Sequence, residues 1–202
     1  HWPAGDGTPL EAYWQELLDL KQEGKVRAVG LSNHNLAQLQ DAEALGHVES
    51  LQPPFSAIQR GAANDLIPWC AQNGTGVIVY SPMQSGLLSG GFSVERAQAL
   101  PADDWRSRNA EFQAPNLARN LALAEALKPI AERHGTTQAA VAIAWTLAWP
   151  GVTGAIVGMR NTAQVDGVLG AAELELDGDD MARIADAIEL TGAGVGPLRP
   201  LD

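Results

Sequence analysis

Cysteine occurs once in the 202 residues, aromatic residues make up only 5%, and Lys and Arg number 13 against 24 Asp and Glu. Each scarcity excludes something. A lone Cys70 cannot close an internal disulfide. A net charge of −11 with the basic residues scattered singly leaves no electrostatic footprint for DNA, RNA or anionic lipid, so neither nucleic acid nor membrane is expected as a partner. The longest apolar stretch, around Ala139 to Trp149, falls far short of the roughly 18 residues that a membrane span needs. The four histidines, His1, His34, His47 and His134, have no metal-type spacing with one another or with Cys70. No Walker loop, nucleophile elbow or GxGxxG followed by a suitably placed acid is present either. The opening His1-Trp2-Pro3-Ala4-Gly5-Asp6-Gly7 carries no Met, no basic segment and no apolar leader, so the expectation is a cytoplasmic chain that forms the back part of a longer protein.

What is present is a rhythm. Four short apolar runs, Val26–Leu31, Val48–Gln52, Gly76–Tyr80 and Gly154–Val157, alternate with helical patterns, the signature of an α/β fold with a parallel sheet. Pro9 to Gly24 places Leu10, Tyr13, Trp14, Leu17 and Leu18 at helical spacing, with Pro in the first turn and Gly past the end. Asn35–Leu45 reads as a second helix with Leu36, Leu39 and Leu45 inward. Asn64–Gln72 reads as a third, capped by Asn64 and ended by Asn73-Gly74. Two consecutive helices, Asn116–His134 and Thr137–Trp149, break at Gly135, with Trp145 and Trp149 on one core-facing side. A short helix over Asn161–Leu169 and an amphipathic one over Gly178–Leu190 follow. Gln84 to Pro115 breaks the rhythm and reads equally as a lid over a binding site, with Trp105 as its cover, or as a solvated insertion. The tail Thr191–Pro197 is too rich in glycine to hold structure alone.

In parallel α/β folds ligands bind at the carboxyl ends of the strands. The residues there are polar: Ser32-Asn33-His34, Gln52, Tyr80-Ser81 and Gly158-Met159-Arg160. Amide and hydroxyl groups converging on one rim suit a carboxamide or a ribose. Gly158 and Arg160 before a helix opened by Asn161 offer backbone N–H groups and a guanidinium to a phosphate. The same residues read as well as a plain Asn cap beside a solvated Arg.

Taken in order, His1-Trp2-Pro3, Gly30-Leu31-Ser32-Asn33, Leu51-Gln52-Pro53-Pro54-Phe55, Val79-Tyr80-Ser81-Pro82 with Ser85-Gly86-Leu87-Leu88, and Ile156-Val157-Gly158-Met159-Arg160 with Gln164 resemble the aldo-keto reductase family of bacterial type. The match runs over nearly the whole chain. The resemblance implies the C-terminal half of a (β/α)8 barrel, strands five to eight, with a long βα loop and a C-terminal helix, residues 1–202 forming one partial domain. It implies an NADP(H)-dependent reduction of aldehydes or ketones, with a small carbonyl compound as substrate. The family's catalytic Asp, Tyr and Lys would lie upstream, so the chain alone is expected to be nearly inactive.

By the same resemblance His1 would orient the substrate carbonyl and assist proton transfer, and Trp2 would line the substrate pocket. Ser32, Asn33 and Gln52 would hold the nicotinamide carboxamide, and Tyr80 would stack on the ring. Ser81, Met83, Ser85, Gly86 and Leu87 would wrap the pyrophosphate. Gly158, Met159, Arg160 and Gln164 would receive the adenosine end, with Arg160 meeting a 2′-phosphate. Many relatives carry a Glu-Asn pair three and four residues after Gln164, where this chain has Gly167 and Val168, so both are left out of the site. An alternative of another class is a nucleotide-binding regulatory module similar to potassium-channel β-subunits.

Overall fold

In the computed structural model, which describes residues 1–200, four parallel strands lie side by side in sequence order. Parallel neighbours need a crossover, and a helix supplies each one. The elements are α1 (Leu10–Gln22), β1 (Gly30–Ser32), α2 (Leu36–Leu45), β2 (Ser50–Gln52), α3 (Leu66–Asn73), β3 (Gly76–Tyr80), α4 (Val94–Gln98), α5 (Asn116–Ala126), α6 (Lys128–Arg133), α7 (Gln138–Leu147), β4 (Val152–Ile156), α8 (Thr162–Leu169) and α9 (Gly178–Thr191).

The two faces of the sheet differ. Leu31 of β1, Leu51 of β2 and Val77 and Val79 of β3 are buried against the helices, together with Trp14, Leu39, Cys70 and Trp145. Phe55 stacks on Trp145 with ring centroids 5.4 Å apart and meets Trp149 edge-on at 5.2 Å, so the two tryptophans are core, as their spacing predicts. Residues on the other face alternate with this set, and Ile78 and Ile156, both on that face, are 39% and 45% exposed. Parallel sheets ordinarily have both faces covered. Here one side carries helices and the opposite side is bare.

Several boundaries differ from the sequence reading. β1 begins at Gly30 rather than Val26, because its only partner, β2, offers three residues, Ser50 to Gln52. The missing side chain of Gly30 is required there, since a Cβ would run into the backbone of Ser50. Leu45 is exposed rather than inward, since α2 turns only Leu39 and Ala42 fully into the core. Asn64 does not cap α3; a 3-10 turn over Gly61–Ala63 precedes it and Asp65 occupies the cap position, while Gly74 ends the helix in the left-handed conformation as expected. The helix read over Asn116–His134 divides at Leu127, where Pro129 in the first turn of α6 withholds a backbone N–H. β4 starts two residues earlier and ends one earlier than Gly154–Val157.

The irregular stretch 84–115 is ordered. It contains α4 and three 3-10 turns, and Phe112 and Phe92 pack edge to face at 5.3 Å. The glycine-rich tail is held as well, by its neighbours. Arg60, 2% exposed, donates to the carbonyls of Ala57, Ala193 (3.2 Å) and Gly196 (3.4 Å), and the backbones of Ile58, Arg60 and Val195 pair. Gly194 permits this contact, because a Cβ at φ +61 would collide with Ile58.

Burial pushes the Cys70 thiol up to about 12, so it stays protonated and shielded at neutral pH. Cys70 is expected to resist a disulfide reagent such as dithionitrobenzoate in the native protein and to react fully in urea. Full reaction before unfolding would contradict its place in the core.

Candidate functional site

A cleft of 840 Å³ opens at the C-terminal ends of β3 and β4. One wall is the turn after β3, a second is the loop from Ser89 to Arg106, and a third is the start of α8. Its lining includes Tyr80, Ser81, Met83, Ser85, Gly86, Gly158, Met159, Arg160 and Gln164, nine of the residues picked from sequence. Met83 also packs into the small apolar cluster of Ala140, Ile143 and Ala171.

The turn after β3 is held in unusual backbone geometry. Ser81, Gln84 and Ser85 have φ of +57, +46 and +52, and Asn33 at the end of β1 has +63. Residues with side chains seldom adopt this region, and those that do gather at binding and catalytic sites. Among the described residues, all four non-glycine examples lie on this one rim. Gln84 N–H to Ser81 C=O at 2.8 Å and Leu88 N–H to Met83 C=O at 3.1 Å close the turn, and Ser56 donates from its hydroxyl to Gln84 Oε1 at 2.9 Å.

Ser32, Asn33, Gln52, His1 and Trp2 do not line the cleft, but hydrogen bonds join most of them to it. The Tyr80 hydroxyl donates to Asn33 Oδ1 at 2.7 Å. Asn33 Nδ2 donates to the backbone carbonyl of His1 at 3.0 Å and to Ser32 Oγ at 3.1 Å, and Ser32 Oγ donates to the Gln52 carbonyl at 2.8 Å. Burial raises the Tyr80 phenol above its ordinary value, so it keeps its proton as a donor at neutral pH. His1 touches this network only through its backbone, its imidazole packing edge-on against Trp2, which is 61% exposed. Leu87 differs from expectation: the residue is wholly buried in the core and does not line the cleft, so its part is to anchor the turn from behind.

At the other end, Asn161 Oδ1 accepts from Gln164 N–H at 3.0 Å, and Gln164 Oε1 accepts from Arg160 N–H at 2.7 Å. Asn161 is therefore a true cap, and two of the N–H groups that seemed open to an anion are already taken. The Arg160 guanidinium is a different matter. Among the described residues it has neither ion pair nor hydrogen bond, and it stands exposed on the cleft.

Two further arginines, missed in the sequence, line the same cleft. Arg96 donates to Gly91 C=O at 2.8 Å and lies over the Phe92 ring at 5.4 Å. Arg106 grips Asp104 with Nε at 3.0 Å and Nη2 at 2.6 Å. The lining holds these three arginines and no acidic residue, in a chain of net charge −11. Such a cleft favours a polyanion.

Hydrogen bonds from the Arg106 side chain and backbone hold Asp104 down to about 2. A depressed carboxylate stabilises the folded loop fully above the ordinary value near 4 and loses that contribution as pH falls through its folded value. An NMR titration is therefore expected to place the Asp104 midpoint near 2, with loop amide exchange rising only below about pH 4. A midpoint near 4 would mean that the Asp104–Arg106 pair is not formed in solution.

Alternating strands and helices around a parallel sheet, with an anion-suited cleft at the strands' carboxyl ends, define the α/β class in which barrels keep their ligand sites. The chain belongs to the aldo/keto reductase family, whose sequence model matches residues 1–189. It is 28% identical over 199 residues to the aldo-keto reductase YhdN of Bacillus subtilis, covering 98% of this chain and 59% of that protein. It is 29% identical over 185 residues to the NADH-specific methylglyoxal reductase of Escherichia coli, covering 90% of this chain and 56% of that one. Among solved structures, the glycerol dehydrogenase of Gluconobacter oxydans superposes with a TM-score of 0.87 at 30% identity, over 100% of this chain and 60% of that one. The chain thus spans a little over half the length of these relatives. No described helix is long and apolar enough to cross a membrane, and no cluster of three or more His, Cys, Asp or Glu suited to a metal occurs among the described residues.

Proposed function

We propose that this chain is the C-terminal half of a (β/α)8 barrel, strands five to eight, from a reductase that binds NADP(H) and reduces aldehydes or ketones. The observation that carries the reading is the three-arginine cleft that runs from Tyr80 to Arg160 at the strand ends. Its chemistry fits a dinucleotide: cationic side chains and a backbone turn for phosphates, and a polar rim of amides for a carboxamide. The bare inner face of the sheet, with Ile78 and Ile156 exposed, supports a partner set of strands from the same protein closing over it, with residues 1–202 as one partial domain.

When bound, the nicotinamide group supplies a hydride to the carbonyl carbon. The chain's own residues do the rest. Tyr80 offers an aromatic face and a fixed hydroxyl at the inner end of the cleft, excluding water there. Asn33, with Ser32 and Gln52, orients the carboxamide and so decides which ring face meets the substrate. Ser81, Met83, Ser85 and Gly86 embrace the pyrophosphate, with Leu87 anchoring their turn in the core. Gly158, Met159, Gln164 and Arg160 take the adenosine end, Arg160 answering a 2′-phosphate. NADPH differs from NADH by the 2′-phosphate of the adenosine, so the choice between them is read at this end, and the Escherichia coli relative is named NADH-specific. By the family resemblance His1 would orient the substrate carbonyl and assist proton transfer, and Trp2 would line the substrate pocket. Nothing in the cleft replaces a lysine-tuned proton donor, since none of the three lysines, Lys21, Lys25 and Lys128, lines it. The reductase reading places that donor in the part of the protein upstream of His1, and the alternative is a nucleotide-binding regulatory module that keeps the cleft without the donor.

Titration with NADPH, followed by its fluorescence, tests the binding. Saturable binding with a blue shift supports the reading, and no binding to the longest product of the gene overturns it. Turnover of an aromatic aldehyde by that longer product separates the reductase from the regulatory module. The 202-residue chain alone is expected to turn over far below the usual enzyme range of about 1–10³ s⁻¹.

A further inference from the structure

Behind the rim residues lies a polar pair, one member buried and the other half-buried, that the proposed site does not use. His34 is only 3% exposed, directly after Ser32-Asn33. Its Nδ1 lies 2.9 Å from the carbonyl oxygen of Ser32, and its Nε2 lies 2.7 Å from the hydroxyl of Tyr13 on α1. The rings of Tyr13 and His34 meet edge-on with centroids 6.0 Å apart.

The chemistry of these partners fixes the tautomer. A carbonyl oxygen can only accept, so Nδ1 carries the proton and donates it. A neutral imidazole then has a bare Nε2, which accepts from the Tyr13 hydroxyl. Burial lowers the affinity of His34 for a second proton, in keeping with the neutral form.

The bond reaches one particular peptide. The Ser32 carbonyl belongs to the peptide group that precedes Asn33, and the orientation of that group sets φ of Asn33, which stands at +63. An Asn tolerates this left-handed conformation but does not prefer it. The Asn33 side chain leaves the backbone from there to meet the Tyr80 hydroxyl at 2.7 Å. A carbonyl free to rotate would release φ, and with it the aim of the amide.

We propose that Tyr13 and His34 are positioning residues for the cofactor's carboxamide: the chain Tyr13 O–H to His34 to Ser32 C=O locks the peptide that holds Asn33 in its left-handed, ring-facing conformation. The proposal rests on the nucleotide-binding reading above. It gives helix α1, whose Tyr13 does not line the cleft, a part in the geometry of the nicotinamide end.

The test compares two ligands on the longest product of the gene. NADPH reaches both ends of the cleft, whereas adenosine 2′,5′-bisphosphate reaches only the adenosine end. Tyr13→Phe and His34→Phe keep ring shape and remove the bonds. Both are expected to weaken NADPH on the order of tenfold while leaving the bisphosphate affinity unchanged, and His34→Asn, which retains a donor towards Ser32, is expected to recover most of the loss. Nitrogen NMR of the wild-type protein is expected to show His34 with a protonated Nδ1 and a bare Nε2. Unchanged NADPH affinity in both ring variants, or an equal loss for both ligands, overturns the proposal while the nucleotide site stands. A wild-type protein that binds neither ligand overturns the site itself and this proposal with it.

Discussion

Replacing Arg160 by alanine is expected to weaken NADPH binding by about 10- to 100-fold and to leave NADH nearly unchanged. A charge-assisted hydrogen bond is worth about 1.5–3 kcal/mol, and about 1.4 kcal/mol is a factor of ten. Arg160 carries the prediction because its two neighbours are already engaged. Arg106 is bound to Asp104 through both Nε and Nη2, and Arg96 is tied to the Gly91 carbonyl and the Phe92 ring. Arg160 alone of the three has no side-chain hydrogen bond or close ion pair among the described residues, so moving it onto a phosphate breaks no bond and gives up only a longer-range attraction to Asp104. Its backbone is fixed all the same by Gln164, which holds the N–H at 2.7 Å and sets where the guanidinium starts from. Arg160→Lys is expected to recover only part of the effect, since an ammonium cannot reproduce a bidentate fork. Binding constants for both cofactors, measured at one ionic strength, decide the matter. Equal losses for NADPH and NADH would assign Arg160 to the pyrophosphate instead, and no loss would remove it from the site.

The parts of the proposed site that could be read from sequence are those next to strand ends. Gly76–Tyr80 and Ser50–Gln52 are identifiable as apolar runs, and a parallel sheet puts function just beyond them, so Gln52, Tyr80, Ser81 and Ser32-Asn33 follow from topology. Arg96 and Arg106 escape that logic. They lie in a stretch with no period, and their places depend on local bonds, Ser93 capping α4 at 3.2 Å and Asp104 folding back on Arg106, that no spacing advertises. The reading of Gln84–Pro115 as lid or insertion could not be resolved for the same reason, and in the structure it supplies a wall of the cleft. Leu87 fails in the opposite way. Its neighbours Ser85 and Gly86 face the cleft, but three consecutive positive φ values, at Gln84, Ser85 and Gly86, redirect the chain and drive Leu87 inward. The tail shows a third limit: composition alone argues for disorder after Thr191, whereas Arg60, about 130 residues upstream, supplies the donors that hold it.

The largest expected loss of stability comes from Asp180, which sits wholly buried in the first turn of α9. Its carboxylate meets three demands at once. Oδ2 lies 2.8 Å from His134 Nε2, the other oxygen faces the guanidinium of Arg133, and the side chain closes a reciprocal cap with Asp177, whose own oxygen takes the Asp180 N–H at 2.8 Å. The end of α6 is thereby fastened to the start of α9, whose Ile184, Ala185 and Ile188 then reach the core. Asp180→Ala keeps the Asp177 cap on the backbone N–H but removes its reciprocal half, the bond from Asp177 N–H, and leaves two cationic or polar groups facing an apolar gap. Breaking a buried pair typically costs about 3–5 kcal/mol, and the half-exposed Arg133 can turn to water, which favours the lower end. At about 2–4 °C per kcal/mol for a chain of this length, a loss of about 3 kcal/mol lowers Tm by roughly 6–12 °C. Asp180→Asn keeps an acceptor for the cap and is expected to recover about 1 kcal/mol of it. A shift below about 2 °C for the alanine variant would place the pair among surface ion pairs, which contribute little. The consequence would reach the cleft, because α9 delivers the tail to Arg60, and the loop that Arg60 ends also holds Phe55 N–H against the Tyr80 carbonyl at 3.1 Å.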